Sequence, residues 1–250
     1  MKLSGFKVLT FDCYGTLIDW ETGILNALQS IAKKKGLLEQ KEKILETFAK
    51  HENRQEIETP GMRYSDLLAL VYRRIAGEWN IDVSNKEAEN FGGSVPSWPA
   101  FSDTVEALQY LKRHYKLVIL SNVDQASFSG SNKRLGVKFD AIYTAEEIGS
   151  YKPDPKNFEY MLRKLETLGF TRSEILHTAQ SLFHDHVPAK EFGLTTAWID
   201  RRHGQKGSGA TPPPPQNVKV DFHFKSLAEF VEKHRTEVKS DTVLADAVTA

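Results

Sequence analysis

The fold is decided by the stretch Lys7-Val8-Leu9-Thr10-Phe11-Asp12-Cys13-Tyr14-Gly15-Thr16-Leu17. Its apolar run from Val8 to Phe11 contains β-branched and aromatic residues, a composition that favours a buried parallel strand covered on both faces. The run stops at Asp12, and Gly15 allows a sharp turn directly afterwards. A carboxylate at the carboxyl end of such a strand lies where open α/β sheets bind their ligands. The alternative is that Asp12 only caps a turn or a helix.

The composition is that of a globular chain with balanced charge. It has 250 residues, of which 33 are basic and 33 acidic, and the hydrophobic fraction of 40% suffices for a large core. A net charge of zero argues against nucleic acid or an anionic membrane as a main partner. The single cysteine, Cys13, cannot form an intramolecular disulfide, and neither a signal peptide nor a membrane-spanning run is recognisable. We therefore expect a cytoplasmic protein.

A long block without strand signals separates the first strand from the next. Apolar residues recur at helical spacing from Ile24 to Ile31 and from Tyr64 to Ile75, and further helices are indicated near residues 39–54 and 85–91. This block is longer than the crossover between two parallel strands needs. We therefore predict a helical cap domain at residues 19–97, inserted into a core domain of residues 1–18 and 98–236. A weakly ordered tail is predicted at residues 237–250.

The rest of the chain alternates between apolar strands and amphipathic helices. Strands are predicted at residues 116–120, 139–144, 175–179, 196–199 and 218–224, and a closing helix at 226–234. This alternation predicts an α/β fold whose core is a doubly wound parallel sheet. Ser121 and Asn122 directly follow one strand, as Asp12 follows the first. We therefore expect these three side chains at one edge of the sheet.

Four segments together resemble the haloacid dehalogenase superfamily. They are Phe11-Asp12-x-Tyr14-Gly15-Thr16-Leu17 for its first motif, Ser121-Asn122 for the second, Lys152-Pro153-Asp154-Pro155 for the third and Asp185 for the fourth. The segments occur in the family order and span nearly the whole chain. The resemblance implies a Rossmann-like core with a helical cap inserted after the first strand.

The resemblance also implies a role for each motif residue. Asp12 is the expected nucleophile, Lys152 pairs with it, Asp185 is an acidic group opposite it, and Thr16 is a further catalytic residue. A carboxylate nucleophile forms a covalent intermediate, a neighbouring lysine keeps it ionised, and a second carboxylate can position water. The expected substrate-binding residues are Tyr14, Ser121, Asn122, Phe158 and Gln180.

Tyr14 distinguishes between branches of the superfamily. Its phosphatases usually carry an aspartate two residues after the nucleophile to protonate the leaving alcohol, and a tyrosine with an ordinary pKa of about 10 is a poor acid there. Halide needs no proton, and Tyr-Gly-Thr resembles the type II L-2-haloacid dehalogenases. This resemblance implies hydrolytic dehalogenation of a small (S)-2-haloalkanoic acid through an ester of Asp12. It further implies a small anionic substrate and no metal or other cofactor, and it is compatible with a homodimer.

Three positions depart from the dehalogenase pattern. Phe158 stands where those enzymes have a tyrosine, and Gln180 and Leu182 stand where they have a serine and an asparagine. The cap arginine that binds halide in those enzymes has two candidates here, Arg54 and Arg63. These departures concern the substrate more than the nucleophile.

Two other functions stay open at this point. The first is a magnesium-dependent phosphatase, in which Asp12, the carbonyl of Tyr14 and Asp185 would be the oxygen ligands. The second is a non-catalytic binding protein on the same fold, because a fold does not determine a function.

Overall fold

The computed structural model describes residues 1–215 and 217–249, and its core is a six-stranded sheet. All strand pairs are parallel, and the strand order is β3-β2-β1-β4-β5-β6. The strands are β1 (Val8–Phe11), β2 (Lys116–Ser121), β3 (Ala141–Thr144), β4 (Ile175–Ala179), β5 (Thr195–Ile199) and β6 (Phe222–Phe224). The predicted doubly wound parallel sheet is confirmed.

Strand β1 lies at the centre of the sheet and is buried on both faces. Phe11 is in register with Ile119 of β2 on one side and with Thr178 of β4 on the other. Successive side chains of a strand alternate between faces. Accordingly, Leu9 packs in the larger apolar cluster and Val8 in a second one. This double burial explains why three of the four residues of β1 are large and apolar.

Four of the helices between β1 and β2 lie within residues 20–92, where the sequence predicts the cap. They are α1 (Trp20–Lys35), α2 (Lys41–Glu58), α3 (Tyr64–Glu78) and α4 (Asn85–Gly92), and we call them the helical insertion. Asp19 caps α1 by accepting a hydrogen bond of 3.2 Å from Thr22 N, and Gly36, with a φ of 74°, ends it in the left-handed conformation. Residues 19–97, all of them described, contain no strand. The domain boundaries at 19 and 97 stay a prediction.

Further helices flank the sheet. They are α5 (Thr104–Leu111), α6 (Gln125–Leu135), α7 (Ala145–Ile148), α8 (Lys156–Thr167), α9 (Val187–Glu191) and α10 (Leu227–Thr249). Apolar periodicity does not predict α6, because small polar residues dominate it. The helix is instead initiated by Asp124, whose carboxylate accepts a hydrogen bond of 2.8 Å from Ser127 N.

The C-terminal region differs from the prediction in two places. Strand β6 covers only Phe222–Phe224 of the predicted strand 218–224, and α10 extends beyond residue 234 to Thr249. No glycine or proline interrupts the sequence of α10. The residues predicted as a weakly ordered tail are therefore helical as far as Thr249, and residue 250 lies outside the described residues. Among the helices that the structure describes, none is both long and apolar enough to cross a membrane.

Candidate active site

Polar side chains converge at the carboxyl ends of the three central strands. Asp12 follows β1, Ser121 ends β2, and Asp185 lies in a short helical turn after β4. The chain leaves β1 towards β2 on one side and later returns to β4 on the other. This change of direction creates the crevice in which doubly wound sheets bind ligands.

A buried lysine connects two of these carboxylates. Lys152 Nζ lies 2.9 Å from Asp12 Oδ1, 2.6 Å from Asp185 Oδ1 and 3.0 Å from the carbonyl oxygen of Leu120. All three charged side chains are buried. The three N–H groups of the ammonium thus have three acceptors, and the predicted contact between Lys152 and Asp12 is present.

The second oxygen of Asp12 is held by Thr16. Thr16 Oγ1 donates a hydrogen bond of 2.8 Å to Asp12 Oδ2 and accepts one of 2.9 Å from Gln180 N. Gly15, with a φ of 92°, forms the turn that brings Thr16 back onto Asp12. The Asp12 carboxylate is therefore fixed through both oxygens.

His177 is a further buried partner of Asp185. It is fully buried in the middle of β4, its Nε2 lies 3.0 Å from Asp185 Oδ1, and its Nδ1 lies 2.9 Å from Thr10 Oγ1. Because a carboxylate oxygen only accepts, Nε2 is the donor. His177 is not among the residues predicted from the sequence, although a histidine inside an apolar strand is a signal that could have identified it.

The electrostatics distinguish the two carboxylates. Burial acts against the charge of each group in the cluster. For Asp185, the nearby ammonium of Lys152 and the hydrogen bond from His177 outweigh burial and lower the pKa. For Asp12, burial prevails and raises the pKa despite Lys152 and Thr16. Burial opposes the charge of Lys152 too, but Asp12 and Asp185 together raise its pKa. Asp185 therefore holds its negative charge more firmly than Asp12.

Asp12, the nucleophile predicted from the sequence, borders a small cavity between the sheet and the helical insertion, which we call the nucleophile cavity after this prediction. Its volume is about 30 Å³, which leaves space for only a few water molecules. The side chains that line it are those of Asp12, Tyr14, Trp20, Glu52, Glu56, Tyr64, Ser121, Asn122, Lys152 and His184. The structure thus represents a closed form that has to open for a substrate to enter.

Three of the predicted substrate-binding residues line this cavity. They are Tyr14, Ser121 and Asn122. Asn122 also fixes the loop that carries Lys152, because its side chain accepts a hydrogen bond of 2.6 Å from Lys152 N and donates one of 2.9 Å to Lys152 O. The Tyr14 hydroxyl lies 2.9 Å from Ser131 Oγ.

The structure places the other predicted binding residues elsewhere. Phe158 is fully buried in the core on α8, where its ring packs edge-on against His177 with centroids 5.1 Å apart. Phe158 is not among the side chains that line the nucleophile cavity. Gln180 lines two neighbouring clefts bordered by the segment 200–214. Its backbone N–H nevertheless supports Thr16.

Neither candidate for the halide-binding arginine reaches the cavity. Arg54 Nε pairs with Glu58 Oε1 at 2.7 Å and Arg63 Nε with Asp66 Oδ2 at 3.0 Å, and both arginine side chains are exposed. The helical insertion instead contributes the acidic side chains of Glu52 and Glu56 to the wall of the cavity. These two residues are not among those predicted from the sequence. Their signal was two acids four residues apart on the apolar face of α2.

Comparison with known proteins identifies the family. Residues 9–199 match the model of the haloacid dehalogenase-like hydrolases. The chain belongs to this family. Two full-length relatives of this hydrolase are the Rhythmically expressed gene 2 protein of Drosophila melanogaster and the (S)-2-haloacid dehalogenase 4A of Burkholderia cepacia. The first is 22% identical over 93% of this chain and 96% of the relative. The second is 20% identical over 91% and 94%, respectively.

Solved structures of haloacid dehalogenase-like proteins share the fold. A defluorinating L-2-haloacid dehalogenase superposes with a TM-score of 0.74 at 21% identity, covering 94% of this hydrolase and 98% of the other chain. A HAD-hydrolase of Bacillus subtilis bound to magnesium gives a TM-score of 0.72 at 16% identity, covering 92% and 99%. Because both identities are low, these similarities establish the fold of the hydrolase and not its substrate.

Asp12 and Asp185 could together hold a divalent cation at the carboxyl ends of the strands. Asp185 Oδ2 is buried and has no hydrogen-bond partner among the described residues. A free carboxylate oxygen of this kind suits either a hard cation or a water molecule. The ammonium of Lys152 already provides a positive charge between the two carboxylates. The donor set is therefore compatible with Mg²⁺ but does not need a metal to balance its charges.

A second group of possible metal ligands lies outside the nucleophile cavity. Ligand atoms of Asp200, His203 and His223 lie within 4.8 Å of one another. His203 Nδ1 and His223 Nε2 are 3.1 and 3.0 Å from Asp200 Oδ2, so that each ring already has a partner within the protein. Both histidines are solvent-exposed.

Proposed function

We propose that this hydrolase acts by covalent catalysis, with Asp12 as the nucleophile and halide as the leaving group. The observation that carries the proposal is the environment of Tyr14. Its hydroxyl lies 2.9 Å from Ser131 Oγ, and burial raises its pKa well above the ordinary value, so that it is a poor general acid for a leaving alcohol. A leaving group that departs without a proton fits this position.

In the first step, a carboxylate oxygen of Asp12 attacks the halogen-bearing carbon from the side opposite the halogen. A carbon–oxygen bond forms, the carbon–halogen bond breaks, and the halide takes its electron pair. The product is an ester of Asp12 with inverted configuration at the carbon. Lys152 and Thr16 orient the attacking carboxylate through its two oxygens, which supports a fixed line of approach.

In the second step, water adds to the carbonyl carbon of the ester. The alcohol product leaves with one proton of that water, the second proton passes to the solvent, and the Asp12 carboxylate is restored. Asp185 is the proposed positioning group for the water, because its Oδ2 is free while Lys152 and His177 hold its Oδ1. Its lowered pKa makes it a weak base, so that orientation rather than full proton removal is its main contribution.

The helical insertion acts as the cap in this proposal. It supplies Trp20, Glu52, Glu56 and Tyr64 to the cavity wall, and the volume of about 30 Å³ requires it to move before a substrate can bind. Closure would then remove water from the ester-forming step. Cytoplasmic location and a homodimeric state remain predictions from the sequence.

The substrate implied by resemblance is a small (S)-2-haloalkanoic acid, which the name of the Burkholderia cepacia relative supports. The proposed reaction uses no metal. A magnesium-dependent phosphatase is a second candidate, favoured by the free Asp185 Oδ2 and by the magnesium bound in the Bacillus subtilis structure. In that case Asp12 and Asp185 would hold the cation, which would supply charge neutralisation for a phosphoryl group.

The test is a screen of purified protein for release of halide and of phosphate. Chloroacetate, 2-chloropropionate and an aryl phosphate are each assayed in chelator and in magnesium. We expect halide release that is insensitive to chelator and falls by about a thousandfold or more in Asp12→Asn, because an amide is a poor nucleophile. Chelator-sensitive phosphate release that exceeds halide release would establish the phosphatase instead. Release of neither product would favour the binding-protein alternative.

A further inference from the structure

Two consecutive arginines after β5 contact different parts of the molecule. Arg201 contacts the core, where its Nη1 lies 2.9 and 3.0 Å from the two carboxylate oxygens of Asp103. Arg202 contacts the helical insertion instead. Its Nη1 lies 2.5 Å from Glu21 Oε2 in α1, and its Nη2 lies 2.6 Å from Glu42 Oε2 in α2. One guanidinium, with its several fixed donors, thus joins two helices of the insertion to the segment after β5.

The other oxygens of the two glutamates bind the backbone of the same segment, residues 200–211, which we call the strap. Gly209 N donates a hydrogen bond of 2.9 Å to Glu42 Oε1, and Ala210 N donates one of 3.0 Å to Glu21 Oε1. All four carboxylate oxygens of Glu21 and Glu42 are therefore bound by the strap. Hydrogen bonds to ionised groups are stronger than those between neutral ones.

Glycines allow the strap to approach the glutamates this closely. Gly207 and Gly209 have φ values of 77° and 64°, in the left-handed region that favours glycine. A Cβ at Gly207 would lie 2.0 Å from Glu42 Oε1, and one at Gly209 would lie 1.8 Å from Glu21 Oε1. The strap therefore needs glycine at both positions in order to receive the two carboxylates.

The contact is largely removed from solvent. The side chains of Arg202 and Glu21 are 11% and 20% exposed, and Ala210 is fully buried. Salt screens partly buried ion pairs less than exposed ones, and loss of one partner leaves the other charge uncompensated. Separation of the insertion from the strap should therefore cost free energy.

A second contact between the insertion and the core lies at the start of α3. Ser65 N donates a hydrogen bond of 2.9 Å to Asp124 Oδ2. Ser65 is the second residue of α3, where the N–H groups have no acceptor within their own helix. This contact shares no residue with the strap, and the neighbouring Tyr64 lines the nucleophile cavity. Movement of the insertion away from the core would therefore expose the Ser65 N–H to solvent.

We propose that the strap is a latch that holds the helical insertion closed over Asp12, with Arg202 as its principal contact. The nucleophile cavity, of about 30 Å³, admits a substrate only after the insertion has moved. This movement separates Glu21 and Glu42 from the strap and breaks their bonds to it. The inference rests on the proposed function only in treating the insertion as a moving cap. The latch then sets how often the cavity opens.

Hydrogen exchange of the whole protein, resolved by residue, measures this opening without turnover. We expect exchange of the Ser65 N–H to become about tenfold faster or more in Arg202→Met, because the closed form loses both ion pairs. Glu42→Gln keeps an acceptor for Gly209 N and should give a smaller increase. Arg54→Gln is the matched control, since Arg54 pairs with Glu58 within α2, and its Ser65 exchange should equal that of the wild type.

Exchange at two other places distinguishes a latch from other roles of Arg202. Leu9, in the central strand, reports unfolding of the whole protein, and its exchange should stay unchanged. Faster exchange at Gly209 and Ala210 without a change at Ser65 would show that Arg202 orders only the strap, and would overturn the proposal. An equal increase at Ser65 and Leu9 would overturn it too, because Arg202 would then stabilise the whole fold.

This experiment is independent of the chemistry under "Proposed function". If no halide is released from any substrate but Ser65 exchange rises as expected, the latch stands and the dehalogenation fails. If halide is released and Ser65 exchange in Arg202→Met equals that of the wild type, the dehalogenation stands and the latch fails.

Discussion

Thr16 Oγ1 donates a hydrogen bond of 2.8 Å to Asp12 Oδ2, on the oxygen that Lys152 leaves free. The same hydroxyl accepts from the backbone N–H of Gln180. One side chain thus ties the turn after β1 to the segment after β4. The orientation of the proposed nucleophile depends on this link as well as on the ion pair.

Replacement of Thr16 by valine removes the hydroxyl and keeps the shape of the side chain, so that it measures the contribution of the hydroxyl alone. Thr16→Val leaves the Gln180 N–H without its acceptor and Asp12 Oδ2 without its donor, so that we expect a loss of about 1–3 kcal/mol in the free energy of unfolding. Activity should fall by more than the loss of stability explains, because the proposed nucleophile Asp12 loses a contact that orients it. Thr16→Ser keeps the hydroxyl and should retain most of both. Urea denaturation and initial rates of halide release provide the measurements, and equal behaviour of the two variants would contradict the argument.

Turnover should be lost at acid pH with an apparent pKa above the ordinary pKa of an aspartate. Asp12 must be ionised to attack, and burial raises its pKa above 3.8, so that activity is lost as the pH falls through this raised pKa. The limb belongs to the cluster of Asp12, Lys152 and Asp185 as a unit. A profile of kcat/KM on an uncharged substrate such as chloroacetamide avoids titration of the substrate. A limb at or below 3.8 would show that Lys152 outweighs burial.

Stability should respond to pH through Glu52. Its pKa in the folded protein is about 8 instead of the ordinary 4.5, so that the folded state keeps a proton that the unfolded chain loses between these values. The contribution of Glu52 to stability is therefore highest below about 4.5 and declines as the pH rises to about 8. Glu52→Gln removes this decline and can still accept the bond from Tyr64.

The measurement for Glu52 is the free energy of unfolding of both proteins across this pH range. We expect the glutamine variant to gain on the wild type by at least about 1 kcal/mol between pH 5 and pH 8. Groups that titrate identically in the two proteins cancel in the difference. A difference that does not change with pH would mean that Glu52 is ionised in the folded state through a partner.

The site residues that could be predicted from the sequence are those whose position depends on the neighbouring residues of the chain. Asp12 follows a buried strand and precedes a glycine turn, and Lys152 lies in a short motif, so that the sequence alone places both at one edge of the sheet. Their spacing on the apolar face of α2 could have indicated that Glu52 and Glu56 are buried, but not that they face Asp12, because the contact between α2 and the strand ends depends on how the helical insertion folds back. Arg54, on the same helix, was an equally reasonable candidate, and its position on the exposed face follows only from that packing.

Gly23 in α1 lies close to Trp98, where the helical insertion meets the core. In α1, a Cβ added to Gly23 would lie 2.3 Å from Trp98 Cγ, and the Trp98 ring packs edge-on against Tyr14 with centroids 5.8 Å apart. Gly23→Ala should therefore displace Trp98 and cost about 1–3 kcal/mol of stability, despite the better helix propensity of alanine.

Gly77, exposed in α3 with open space around its Cα, is the matched control. Gly77→Ala should stabilise the protein by up to about 1 kcal/mol. Because Trp98 packs against Tyr14 next to the proposed nucleophile Asp12, Gly23→Ala should also reduce turnover while Gly77→Ala does not. Thermal unfolding and halide release test both, and a Gly23→Ala protein as stable and active as Gly77→Ala would show that α1 and Trp98 are not in close contact.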